Sequence, residues 1–182
     1  MKLNQSTRIV GINVILVPYR EHHVLRLESH HLDFLKKSWV EDDDKCTFII
    51  LDKVVFEKTS NEIDAMVGDT NLYLNDPQDR SCAEIEIMIA EEHSRGKRFG
   101  WEAVILMLRY GIEQINLKSF LAKISMNNET SIRMFNKLGF EEVSKSSIFK
   151  EITLEKKVND EWLRWLKSET LESKWYEDNE LV

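Results

Sequence analysis

The residues best equipped for chemistry form a basic, glycine-bearing segment, Arg95-Gly96-Lys97-Arg98-Phe99-Gly100. It follows an apolar stretch, 84–90, and precedes a helical pattern that starts at Trp101. A helix start leaves backbone N–H groups unpaired and carries the positive end of the helix dipole. Three cations in four residues of an acidic chain make either an anion site suited to a pyrophosphate or a plain basic turn between strand and helix. No G-x-x-x-x-G-K-[ST] occurs, which excludes a P-loop, and no G-x-G-x-x-G, which argues against a dinucleotide-binding fold. Glu84 and Glu86 alternate on one strand face. A carboxylate there can take the proton of an incoming amine, directly or through water; otherwise both are solvent-facing strand residues. The pairs His22-His23 and His30-His31 lie eight residues apart, about 12 Å along a helix, too far for one ion to bridge. They read as exposed polar helix residues, and no metal is expected. Cys46 and Cys82 give neither a disulfide framework nor zinc spacing, and read as small core residues with reduced thiols.

Positioning these groups takes a sheet and several helices. The stretch 9–18 is β-branched and apolar and predicts a first strand. Val24, Leu25, Leu27, Leu32, Phe34 and Leu35 predict a helix within 20–37, followed by a solvated loop at 41–45. Strands are predicted at 46–52, 65–75 and 82–90, with a polar loop over 53–64 and turn chemistry around 76–79. Val104, Met107, Leu108, Ile112 and Ile115 form the stripe of a core-facing helix. A strand over 120–126 follows. Asn128 then caps a short helix carrying Ile132, Phe135 and Leu138, and Gly139 closes it. Strands over 140–146 and 148–158 lead to a last helix capped by Asp160, with Trp162, Trp165, Trp175 and Tyr176 packing on the sheet. From about Tyr176 the acidic end is expected to fray. This order predicts a mixed α/β sheet of about six or seven strands.

The paired motifs carry a family resemblance. Arg95–Gly100 resembles the acyl-coenzyme A loop R/Q-x-x-G-x-G/A of the GCN5-related N-acetyltransferase (GNAT) superfamily. The block Asn128-Glu129-Thr130-Ser131-Ile132-Arg133-Met134-Phe135-Asn136-Lys137-Leu138-Gly139-Phe140 resembles that superfamily's N-x-x-S/A…K-x-G-F block. Further stretches, including Val14–Tyr19, Asp44–Ile49, Met66-Val67-Gly68-Asp69 and Ile87–Glu91, extend the resemblance over nearly the whole chain. It implies one domain over 1–158, shortened between its first two strands, with a C-terminal helix and acidic tail, 159–182, packed on it. It also implies acetyl-coenzyme A between two splayed strands. Backbone groups near Met88 and Ile89 would pair with the pantetheine, and the Met88 amide would polarise the thioester carbonyl. The amides of 96–100 would hold the pyrophosphate, with Arg95, Lys97 and Arg98 adding charge. Asn128 and Ser131 would approach the coenzyme from the other side. Glu86, nearer the thioester than Glu84, is the preferred base. The amine would attack the thioester directly in a ternary complex.

Three features depart from the family pattern. Arg98 stands where the loop usually has glycine, which tolerates a positive φ and a close approach to phosphate. Phe135 stands where many members carry a tyrosine that protonates the leaving thiolate. The 19–45 connection is shorter than the two helices and loop usually found there. Composition narrows the rest: 182 residues, 42% hydrophobic and 31% charged, fit one globular core. A net charge of −7 leaves no global basic field for nucleic acid and no polybasic membrane anchor. With no apolar signal core, the expected setting is cytoplasmic. The expected function is acetyl transfer from acetyl-coenzyme A to a protein or peptide amine. The alternative is a catalytically weak acetyltransferase-like domain that acts as a protein-interaction module.

Overall fold

The computed structural model describes residues 3–26, 44–74, 76 and 78–177. Its strands are β1 (Thr7–Val10), β2 (Val14–Pro18), β3 (Lys45–Asp52), β4 (Met66–Tyr73) and β5 (Cys82–Ile89), then β6 (Ser119–Ser125), β7 (Glu141–Ser146), β8 (Glu151–Lys157) and β9 (Lys174–Glu177). They form one sheet in the order β7-β8-β6-β5-β4-β3-β2-β1-β9. Nine strands among the described residues exceed the six or seven predicted. β5 and β6 run parallel, whereas the other neighbours run antiparallel.

Period-2 alternation gives the sheet two apolar faces. Leu16, Phe48, Ile50, Leu72 and Ile85 face one way, under α3 (Phe99–Glu113), α4 (Glu129–Lys137) and α5 (Asp160–Glu169). Val104, Met107 and Leu108 of the predicted stripe are buried there. Ile15, Val17, Ile49 and Leu51 face the other way, against Val55, Phe56 and Ile63 of α1 (Lys53–Thr59) and α2 (Glu62–Ala65). Burying the two faces supplies roughly 25 cal/mol per Å² of apolar area removed from water.

Several expectations need correction. The single strand 9–18 is a hairpin, because the Glu102 carboxylate accepts the backbone N–H groups of Ile12 and Asn13 and pins a turn at Gly11-Ile12-Asn13. A Cβ on Gly11 would collide with that carboxylate. The polar segment 53–64 is two short helices, not a loop. Asp52 caps the first, accepting N–H from Val54 at 3.0 Å and Val55 at 3.2 Å, and Asn61 caps the second. Asn159, not Asp160, caps α5, accepting from the Trp162 N–H at 2.8 Å. The strand expected from 148 starts at Glu151. Tyr176 does not fray: it lies in β9, which pairs with β1. Of the helix expected over 20–37, the described part is a 3-10 turn at Glu21–Arg26; its remainder, His30-His31, residues 41–43 and the last five residues lie outside the described residues.

Candidate active site

The site begins where the one parallel pair among the described strands fails. β5 and β6 are in register only from Cys82–Glu84 against Ser119–Leu121. Beyond that they separate and open a cleft of about 370 Å³. Ile85, Glu86, Ile87 and Met88 line it from β5, and Ala122, Lys123, Ile124 and Ser125 from β6. Asn128, Ser131 and Phe135 close one side, and Asp69, Asn71 and Tyr73 of β4 the other. The splay exposes backbone N–H and C=O groups that an extended ligand can pair with as an added strand.

The basic loop follows the end of β5. Gly96 has φ +76° and Arg98 φ +67°, and Arg98 sits at the N-cap of α3, which starts at Phe99 rather than Trp101. The position where the family has glycine therefore does require a left-handed backbone, and an arginine occupies it. Such strain costs on the order of 1–3 kcal/mol. Residues 95–98 are exposed. The Arg95 guanidinium folds back on the strand end, donating to the Ile89 carbonyl at 3.0 Å and the Ala90 carbonyl at 3.2 Å. Lys97 reaches over the Phe99 ring, 6.0 Å from its centroid. The Glu102 cap ties the first turn of α3 to the β1–β2 turn and so fixes the helix start. Asn128 caps α4 through the Ser131 N–H at 3.1 Å, so both members of the second motif stand at one helix end on the cleft wall.

The two carboxylates differ. Glu84 is tied to Lys123 at 2.7 Å, and this hydrogen bond holds the lysine above its ordinary pKa range. Glu86 is exposed, faces Asn71 in the register, and shares a hydrogen bond with the Tyr73 hydroxyl. Burial, then the Glu86 charge, holds the Tyr73 phenol above its usual range, so it is a neutral hydrogen-bond donor. Phe135 is 2% exposed and packs edge-on to Phe140, 5.0 Å between centroids. Burial likewise pushes up the Cys46 thiol, in keeping with an inert core cysteine.

Of the predicted site residues, Glu86, Met88, Asn128 and Ser131 line one cleft, whereas Glu84, Ile89 and the 95–100 loop beyond the end of β5 are not among its lining residues. The sequence reading missed Asp69, Asn71 and Tyr73 on the adjacent strand. Their signal was polar residues at alternate positions of a strand buried along most of its length. The histidines also differ from expectation. His23 is fully buried. Its Nδ1 accepts the Arg20 N–H at 3.0 Å, so Nε2 carries the proton and donates to Glu62 at 2.9 Å. His22 meets the same oxygen at 2.8 Å, and Arg8 binds the other at 3.2 Å. Ligand atoms of His22, His23 and Glu62, one from each, lie close enough together for an ion. His22, His23 and Arg8 hold the Glu62 carboxylate in a hydrogen-bonded latch beside the second apolar face.

Comparison with known proteins bears on the family and the fold. The family description "Acetyltransferase (GNAT) domain" matches residues 17–141. An N-acetyltransferase 9-like protein of Nematostella vectensis is 46% identical over 173 residues, covering 85% of this chain and 87% of its own. The alpha/beta-tubulin-N-acetyltransferase 9 of Homo sapiens is 43% identical, covering 98% of this chain and 97% of its own. Among solved structures, a spermidine N-acetyltransferase chimera from Vibrio cholerae and its human counterpart superposes with a TM-score of 0.65. It covers 84% of this chain and 99% of its own at 16% identity, a likeness of fold. No described helix is long and apolar enough to cross a membrane.

Proposed function

Since the chain belongs to the GNAT acetyltransferase family, and so is an acetyl-coenzyme A-dependent N-acetyltransferase, we propose that its acceptor is a protein amine presented at the β5–β6 cleft. The tubulin chains named for its relatives are the first acceptors to test. One observation carries the reading: a parallel pair splays beside β5, and the basic loop that starts α3 stands at the end of the same strand.

In this reading the pantetheine lies along Met88 and Ile89 as an extra strand, and the Met88 amide polarises the thioester carbonyl. The amides of Gly96, Lys97, Arg98, Phe99 and Gly100 receive the pyrophosphate at the start of α3. Lys97 and Arg98 supply charge, Arg95 fixes the loop to β5, and Asn128 and Ser131 contact the coenzyme arm. An amine is mostly protonated at neutral pH and must lose a proton before it attacks. Glu86, open to solvent at the cleft, takes that proton; Glu84, bound to Lys123, sets the local charge. The nitrogen then attacks the carbonyl carbon within a ternary complex, and the thiolate leaves.

Calorimetric titration with acetyl-coenzyme A, followed by coenzyme release on peptides bearing tubulin N-termini or internal lysines, tests this. Saturable binding and turnover on at least one amine are expected. Binding without turnover on any of them would favour the interaction-module reading.

A further inference from the structure

Met66-Val67-Gly68-Asp69 lies on β4, beside the residues discussed so far. In the β4–β5 register Asp69 stands opposite Met88, Asn71 opposite Glu86 and Tyr73 opposite Glu84. Cross-strand partners project from the same face. Asp69 is therefore the carboxylate level with Met88, and Glu86 lies two residues farther along. The strands also press together at this point, since a Cβ on Gly68 would collide with the Met88 carbonyl oxygen. Asp69 is 8% exposed and lines the cleft. A chain of side chains orients it: the Thr47 hydroxyl donates to Asn71 Oδ1 at 2.6 Å, and Asn71 Nδ2 donates to Asp69 Oδ2 at 2.7 Å. A buried carboxylate aimed this way at a cleft is an expensive arrangement for structure alone.

We propose that Asp69 is a second catalytic carboxylate, which carries a proton from the attacking nitrogen to the leaving sulfur. The inference rests on the thioester carbonyl lying at Met88. Glu86 removes the first proton from the ammonium and releases it to water. The neutral amine then forms the N–C bond, and its nitrogen becomes positively charged. Asp69 accepts the second N–H proton from that adduct. The C–S bond breaks with its electron pair on sulfur, and Asp69 returns the proton there, giving amide and free thiol. Asp69 ends as it began, and no further reactant is consumed. The role replaces the hydroxyl that Phe135 lacks.

The charged surroundings suit a group that gains and loses a proton. Burial raises the Asp69 pKa; the Asn71 hydrogen bond and the Lys45 ammonium on β3 oppose this, and Glu86 on β5 adds to it. Tyr73, the other titratable group on this face of β4, is held neutral.

The test uses the full chain with acetyl-coenzyme A and an acceptor peptide that the wild type acetylates. Asp69→Asn is expected to lower kcat by about 10²-fold, with coenzyme affinity by calorimetry and melting temperature unchanged. Phe135→Tyr in the Asp69→Asn background should restore about tenfold or more relative to Asp69→Asn. Asp69→Glu, which keeps the acid group on a longer arm, should fold and lose about tenfold, so it decides the matter if Asp69→Asn does not fold. Wild-type kcat in Asp69→Asn or Asp69→Glu would overturn the proposal. So would a loss that follows melting temperature or coenzyme affinity, or a double variant no faster than Asp69→Asn. A wild type that neither binds nor transfers would overturn the functional reading itself, and this inference with it.

Discussion

Arg98 sets sterics against charge. Its backbone holds φ +67°, a region glycine enters freely and arginine does not. Against that, its permanent charge at a helix start can bind phosphate through two N–H groups. A side chain at this position also limits how closely the loop amides approach a phosphate, and the phosphate contact must order an exposed side chain. Arg98→Gly is therefore expected to tighten acetyl-coenzyme A binding, and Lys97→Ala to weaken it and reduce its dependence on salt. Calorimetry at two ionic strengths reads both; weaker binding by Arg98→Gly would make the arginine a phosphate ligand first. The need for a positive φ here was legible in the sequence because the loop motif specifies it. The importance of Asp69 was not, since it arises from a cross-strand register with Met88 that no local pattern records.

Glu62 gives a pH prediction. The hydrogen bond from His23 is the largest influence, and together with the His22 contact it outweighs burial and lowers the carboxyl to about 2. A carboxylate depressed on folding adds stability above its ordinary range near 4.5, and that stability is lost as pH falls toward 2. The shift corresponds to roughly 2–4 kcal/mol. Glu62→Gln should melt well below the wild type at pH 7, and the gap should close progressively between pH 4.5 and 2, as followed by circular dichroism. A gap that stays constant with pH would assign the loss to packing instead.

At the scale of elements, long periodic segments were readable and short ones were not. The stripe of α3 and the cap and closing glycine of α4 follow from local chemistry, and Gly139 does take φ +83°. α1 and α2 are too short to show a stripe, and their apolar contacts reach a sheet face assembled from distant strands. The β1–β2 turn is held by Glu102, about ninety residues away, so the apolar run 9–18 reads as continuous. Asn61 caps α2 through the N–H groups of Ile63 and Asp64. Asn61→Ala should cost about 1 kcal/mol in denaturant unfolding and leave coenzyme affinity untouched. A fall in affinity would mean that α2 shapes the cleft.

On the scale of the whole molecule, β9 returns to cover β1, which would otherwise be the sheet edge. Trp175 on β9 packs 5.7 Å from the Tyr110 ring and under the Arg109 guanidinium at 5.2 Å, tying this edge to α3. The last described strand thus braces the helix whose first turn faces the proposed pyrophosphate site. Trp175→Ala should lower stability by about 2–4 kcal/mol in urea while kcat on the surviving folded protein stays unchanged. An equal loss in kcat would show that the brace sets the geometry of the loop.

The central claim is that acetyl-coenzyme A lies in the β5–β6 splay with its pyrophosphate on the 95–100 loop. Amide hydrogen exchange of the full chain, with and without saturating acetyl-coenzyme A, tests it most directly, because each backbone group assigned to the ligand reports separately. New protection is predicted at 86–90 of β5, through the loop into the first turn of α3, and at the start of α4, with the β7–β8 pair unchanged. Protection absent from both β5 and the loop, or confined to another surface, would contradict it.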